Sequence, residues 1–342
     1  MAIVINGSGT VTGLSVGGLP DGTVDEGTLA TDSVTAAKIP ASLENTFVSG
    51  RKNLIINGAM RVQQRGTASV TSGYFVDRFQ LSGVSASAVL TSSTPTEFPT
   101  AISVSATSGN PIVIQKIESK NCQHLSGQTV TASFYAKNIS NATTLYAKLS
   151  YAGSVDNFGS STTISEQNLG ALSGSWVKYT ASWTVPAGGL NGLMLNILCA
   201  GTSTFTMGVT GVQLELGSTA TDFEHRSYGE ELALCQRYFH QQGRQGSDGY
   251  EQFVNIAAFS TTGARCAYPL PTTMRAFPSV TSNGSFQTIT GLDITAIALA
   301  DSGGNPSVGL NFAVSSGYTV SYAYTVRSKN DADAYLQFDA EL

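Results

Sequence analysis

The sequence predicts a mainly β protein: an extended N-terminal stalk, an antiparallel β-sandwich of jelly-roll type, one connecting helix and a C-terminal antiparallel β domain. Three observations predict it. Charged residues make up 12% of the 342 residues, about half the usual share of roughly 25%, whereas coiled coils, helical bundles and solvated disorder all need many charges. The 36 glycines together with Ser and Thr fill about a third of the chain, which suits strands decorated by hydroxyls and turned by glycine. Short stretches alternate apolar and polar residues with the period of two that marks a half-buried strand. At one domain per roughly 100–200 residues, the length suits two or three domains.

Residues 1–50 are thin and rich in Gly, Thr, Ser and Asp. Val24, Leu29, Val34 and Ile39 recur every fifth position, a period that fits neither helix nor strand. Such a segment cannot bury its own side chains. It reads as an interlaced stalk shared by several copies, or as a loose leader.

From Asn53 to about Glu224 the pattern is β. Val130, Ala132, Phe134 and Ala136 share one face, as do Leu145, Ala147, Leu149 and Tyr151. Val177, Tyr179, Ala181, Trp183 and Val185 share another, and Val212, Leu214 and Leu216 alternate with Gln213 and Glu215. A single convincing helix follows, expected over about 228–240. Ser227 with Glu230 forms an S-x-x-E capping box, in which the hydroxyl accepts from the N–H three residues on. Tyr228, Leu232, Cys235 and Phe239 give it one apolar face. Strand patterns return over 250–342, in FVNIAAF, YTVSYAYTV and YLQFDAEL, so the helix reads as a connector between two β domains.

The net charge of −5 and the lack of a Lys/Arg cluster beyond Arg51-Lys52 argue against nucleic acid, whose phosphates call for a basic face. No apolar run reaches the roughly 18–20 residues that span a bilayer, so no membrane insertion is expected. MAIVINGSGTVTG lacks the basic and apolar regions of a signal peptide. Cys122, Cys199, Cys235 and Cys266 are scattered without a C-x-x-C; they read as buried free thiols of a chain made in a reducing cytoplasm.

No enzyme signature stands out. Gly13-Leu14-Ser15-Val16-Gly17 matches G-x-S-x-G, but no helix follows to make a nucleophile elbow. Phosphate-loop motifs are absent. His124, His225 and His240 show no metal or triad spacing. No cofactor, metal or catalytic residue is therefore expected. Aromatic rings remain, because their flat faces stack on the C–H faces of sugars while polar tips hydrogen-bond. Trp176 and Trp183 fall on opposite faces of one expected strand, with Trp183 in the core. Tyr322 and Tyr324 share a face. Trp176, Tyr322 and Tyr324 are the candidate ligand-binding residues.

NLIINGAMRVQQRG (53–66) and GYFVDRFQLSG (73–83) resemble the opening of a module common in phage tail-fibre and related virion proteins. GVQLELGSTATDFEHRSYGEELALCQRYF (211–239) resembles its closing strand and exit helix, and VGGLPDGTVDEGTLATDSVTAAKI (16–39) is similar to fibre N-terminal segments. YPLPTTMRAFPSVT (268–281) and FDAEL (338–342) fit the C-terminal β domain that commonly follows. The middle module also resembles bacterial carbohydrate-binding jelly rolls through Asn53-Leu54 and Asn57-Gly58, although Ala59–Val62 stand where those modules often place a calcium-holding glutamate.

The resemblance implies a homotrimeric tail-fibre subunit made in the host cytoplasm and located in the virion. Residues 1–50 would attach to tail or other virion proteins, 51–225 would form the jelly roll, and 226–342 would carry the helix and a receptor-binding tip. The tip would adhere non-covalently to a host surface glycan or outer-membrane receptor. A head fibre or capsid decoration protein, a surface-glycan depolymerase and a secreted adhesin are the rival readings.

Overall fold

The computed structural model describes residues 51–66, 70–83, 86–91, 93–107, 109–243, 249–300 and 307–342, and the backbone of 4–5 and 11–12. The chain divides into two compact units, 1–50 and 51–342. In the first, β1 (Val4–Ile5) pairs antiparallel with β2 (Val11–Thr12). The expected stalk spacing at Val24–Ile39, its role in attachment and the Gly13–Gly17 match lie outside the described residues.

In the second unit every strand pair among the described residues is antiparallel. Nine strands make its first sheet: β3 (Gly73–Val76), β4 (Phe79–Ser82), β5 (Ala86–Thr91), β6 (Ala101–Ala106), β7 (Ile112–Ile117), β8 (Thr129–Ser154), β9 (Asn157–Ala171), β10 (Val177–Thr184) and β11 (Leu193–Leu216). Two long strands carry it, β8 with 26 residues and β11 with 24. The first half of β11 pairs with β7 and with residues 144–151 of β8; its second half pairs with β6 and with residues 130–140 of β8. The register shifts around Gly201, and Asn141 takes a left-handed φ of 51°, so one continuous sheet folds over into two layers of a jelly-roll sandwich.

The predicted faces of Val130–Ala136 and Leu145–Leu149 meet inside it, with Trp183, Leu195, Phe205 and Leu214. One expectation fails here. Gln213 and Glu215 do not face water; both are fully buried. Glu215 accepts from Gln213 Nε2 at 2.8 Å and from the N–H and hydroxyl of Thr221 at 2.9 and 2.6 Å, while Gln213 Oε1 accepts from Glu224 N at 2.9 Å. The segment after β11 folds back to satisfy them.

The opening residues 53–58 run beside β11 without joining the sheet. Leu54 N donates to Leu214 O, and Val212 N donates to Gly58 O at 2.9 Å. A Cβ at Gly58 would lie 2.0 Å from Val212 O, so only glycine permits this approach. Asn57, at φ 61°, braces the turn: its amide donates to Val62 O and Asp77 O, and its Oδ1 accepts from Val62 N.

Helix α1 (Tyr228–Gln236) begins as expected, with Ser227 Oγ accepting from Glu230 N at 3.3 Å. It ends four residues early, and its buried face differs. Tyr228 is half exposed, whereas Cys235 and Glu231 are buried. Glu231 takes Asn57 N at 2.6 Å and Arg226 Nη1 at 3.2 Å, which turns that face toward the sandwich. Phe239 leaves the helix because it starts β12 (Phe239–Gly243), paired with the last strand, where burial alternates.

Nine further strands complete the unit: β13 (Gln252–Ala258), β14 (Gly263–Pro269), β15 (Ser279–Asn283), β16 (Phe286–Thr288), β17 (Asp293–Ile294), β18 (Ala296–Leu299), β19 (Ser307–Ala313), β20 (Ala323–Ser328) and β21 (Tyr335–Asp339). They form a three-stranded sheet, β12-β21-β15, and a seven-stranded sheet, β17-β16-β20-β13-β14-β19-β18, over a second core around Phe253, Leu310, Phe312, Leu336 and Phe338. Residues 318–322 are not strand, contrary to the reading of YTVSYAYTV. Ser321 has φ 69°, and β20 begins only at Ala323.

A buried polar junction ties the sandwich to the C-terminal sheets. Arg78 is fully buried, pairs with Glu341, donates to Lys116 O at 2.6 Å, and lies 3.5 Å from the Tyr238 ring centre. Arg65 pairs with Asp77 at 3.0 Å and covers the Phe239 ring at 3.5 Å. Arg237 and the Tyr238 hydroxyl both donate to Glu118, at 2.8 and 3.0 Å. No helix among the described residues is long and apolar enough to cross a membrane.

Candidate functional site

An open groove of about 470 Å³ lies where the edge strand β12 faces β13 and β14. Alternation along β12 places His240 and Gln242 toward the groove side, half-buried between buried Phe239, Gln241 and Gly243. Gly243 has φ 96°, and a Cβ there would lie 2.4 Å from Ala334 O, so glycine lets β12 close onto the second core. Phe253 and Val254 come from β13, Tyr268 and Pro269 from β14, and Glu251 from the residue before β13.

Most polar groups in the groove are already paired. Tyr268 donates its hydroxyl proton to Gln242 Oε1 at 2.6 Å, and Gln242 Nε2 donates to Phe253 O at 3.1 Å. Gln241 Oε1 accepts from Gln337 Nε2 at 2.8 Å. The Phe338 ring stacks on Tyr268 at 4.5 Å and on His240 at 5.8 Å. His240 Nε2 lies 3.4 Å from the Tyr268 hydroxyl, and its buried Nδ1 has no partner among the described residues. Burial lowers the His240 pKa to about 4 and raises those of Tyr268 and Glu251. The imidazole is therefore neutral at pH 7 and the phenol stays protonated.

Among the described residues, Glu251 is the one carboxylate that lines the groove. What the arrangement offers is fixed hydrogen-bonding groups beside ring and aliphatic surface. That suits non-covalent capture of a small polar ligand, and the volume falls within the roughly 300–1,000 Å³ of such sites.

The three aromatic candidates from the sequence are not brought to this groove. Trp176 precedes β10 rather than lying in it. Its indole packs over Gly208, where an added Cβ would approach it to 2.7 Å. Trp183 is core, with its N–H donating to Ser165 O at 3.1 Å. Tyr324 lies against Tyr318 at 5.0 Å, and its hydroxyl accepts from Thr319 N at 2.8 Å. Tyr322 is 64% exposed in the turn before β20, so the two tyrosines do not form one platform. Sequence reasoning missed the groove because its residues carry no motif; Tyr268 and Gln242 meet only through the fold.

His124 is exposed, and His225 packs against Phe98 and Phe223. The four cysteines are free; three are buried and Cys266 is half-buried.

No protein-family model and no curated protein matches the chain. Solved structures do match. The enzymatically active domain of tailspike protein 4 of Bacteriophage CBA120 is 18% identical over 48% of this chain, with TM-score 0.36. The match spans 21% of that tailspike chain. The CBM22-1 xylan-binding domain of Paenibacillus barcinonensis Xyn10C is 12% identical over 50% of this chain and all of its own, with TM-score 0.35. The C-terminal family 22 carbohydrate binding module of Clostridium thermocellum Xyn10B is 19% identical over 42% of this chain and 89% of its own, with TM-score 0.32.

Proposed function

We propose that the chain is a homotrimeric virion fibre subunit that adheres to a host-cell surface glycan without chemical conversion of it. The observation that carries this reading is the groove at β12–β14. Sugars present hydroxyls at the edge and C–H groups on the face, and this groove supplies both complements: amides, a carboxylate and a neutral imidazole beside Phe253, Tyr268 and Pro269. The sequence resemblance of 53–83 and 211–239 to virion-fibre modules supports the location. In this reading residues 1–50 attach the subunit to other virion proteins, and 226–342 form the tip. Exposed Tyr322 is free to act as a second stacking surface. Several weak tips acting together raise avidity through effective concentration.

The test is an array of bacterial surface polysaccharides probed with the full chain and with Gln242→Ala. Expected is binding to a subset of glycans that the variant loses. Binding indifferent to the variant would move the site elsewhere. Release of reducing ends from a bound polysaccharide would make the chain a depolymerase instead.

A further inference from the structure

We propose that one end of the seven-stranded sheet is a lipid-facing surface, whose loops rest on a phospholipid bilayer without crossing it. The inference does not depend on what fills the groove. At this end β13 stops at Ala258, β14 starts at Gly263, β19 stops at Ala313 and β20 starts at Ala323. Gln252 of β13, Leu299 of β18 and Ser307 of β19 lie at the opposite end. Ile289 N donates to Thr325 O, which brings the turn after β16 to the same place. Phe259, Ile289, Val320 and Tyr322 stand there, each between 47% and 64% exposed.

These side chains are not spare core. Val314 and Tyr318, from the same loop as Val320, already fill the inside. Backbone bonds fix the loops to one another: Ala258 N donates to Tyr322 O, Ser321 N to Ala258 O, and Tyr318 N to Thr261 O. The Tyr324 hydroxyl holds Thr319 N at 2.8 Å, and Ser321, at φ 69°, turns the chain between Val320 and Tyr322. The exposure is held in place before any partner arrives, so docking costs little further ordering.

Charge and area name the occupant. Residues 257–264, 288–292 and 313–326 contain no Asp, Glu, Lys, Arg or His. Arg265 stands just behind them, its guanidinium 4.7 Å from the centre of the Phe259 ring. Asp293, the acid that follows Leu292, is paired with Lys329 at 2.7 Å. A bilayer interface calls for this order: apolar side chains among the upper acyl chains, an aromatic ring and hydroxyls at headgroup depth, and a cation at the phosphates. The four side chains expose roughly 400 Å². That is about half of the ~800 Å² that each partner gives to a stable protein interface. Lipid demands no matching shape, so a patch of this size supports reversible contact.

The experiment is flotation of the full chain with two sets of vesicles, phosphatidylcholine alone and phosphatidylcholine with phosphatidylglycerol. The chain should float with both, more strongly with the anionic set. Val320→Asp and Tyr322→Asp should each weaken binding at least about 10-fold. Arg265→Gln should weaken it about 5-fold on the anionic vesicles and little on the neutral ones. Ile139→Asp, at an exposed site on the sandwich, should leave it unchanged. Thermal melts like that of the wild type show that the variants are folded.

A wild-type chain that stays off both sets of vesicles overturns the proposal. So does binding that survives both Val320→Asp and Tyr322→Asp, or that falls equally in Ile139→Asp. A lower native mass in Val320→Asp would make this end a seam between copies and overturn it as well. None of these outcomes touches the glycan reading of the groove, which the array tests separately.

Discussion

His240 has its ring stacked on Phe338, and burial lowers its pKa from 6.5 to about 4. In the unfolded chain it takes up a proton as pH falls through 6.5, whereas in the folded chain it waits until about 4. The folded state therefore loses stability as pH drops across that window, by at most about 3 kcal/mol. Urea melts at pH 7 and pH 4.5 should show this loss, and His240→Gln should shrink it. An unchanged pH dependence in the variant would mean that His240 is not the group responsible. Single residues were the least legible level of the sequence. Gln213 and Glu215 read as outward-facing by alternation, yet Thr221 and Glu224, which pair with them, arrive from beyond the strand. Asn57-Gly58 was legible only as part of the resemblance to carbohydrate-binding jelly rolls, and the structure adds why glycine is required there: the close approach of Val212 O.

At the level of elements, periodicity revealed faces and missed ends. The faces of β8 were legible because both layers of a sandwich bury every second residue. The fold of β8 and β11 across two layers was not, because nothing in a local pattern marks where one long sheet bends. The cap of α1 was legible as S-x-x-E; its end was not, since pairing of Phe239 with Asp339 competes with one more helical turn. Ser227→Ala should destabilise the unit by about 0.5–1 kcal/mol, at the low end for a helix cap given the 3.3 Å contact. Ser227→Asp should retain most of the stability. Chemical denaturation checks both, and an Ala variant as stable as wild type would mean the cap contributes nothing. The groove was illegible for the same reason as the helix end: β12 exists only because β21 pairs with it.

Across the whole molecule, the junction of Arg78, Glu341, Tyr238, Arg237 and Glu118 makes the sandwich and the C-terminal sheets one mechanical body. Removing one partner of a buried pair leaves a charge without compensation. Arg78→Met should thus cost about 3–5 kcal/mol, and Arg78→Met with Glu341→Leu should recover much of it. The wild-type unit should melt in one transition and Arg78→Met in two; one transition in both would show that the pair does not couple the cores. For the fibre reading, native mass should give a trimer of the 35.6 kDa chain, and a concentration-independent monomer would contradict it. The most direct test of the central claim is hydrogen–deuterium exchange on the full chain, with and without a bound oligosaccharide. Slowed exchange confined to Gln241–Gly243, Phe253–Val254 and Tyr268 is the predicted result. Protection around Trp176 and Gly208, or around Tyr322, with β12–β14 unchanged, would contradict it.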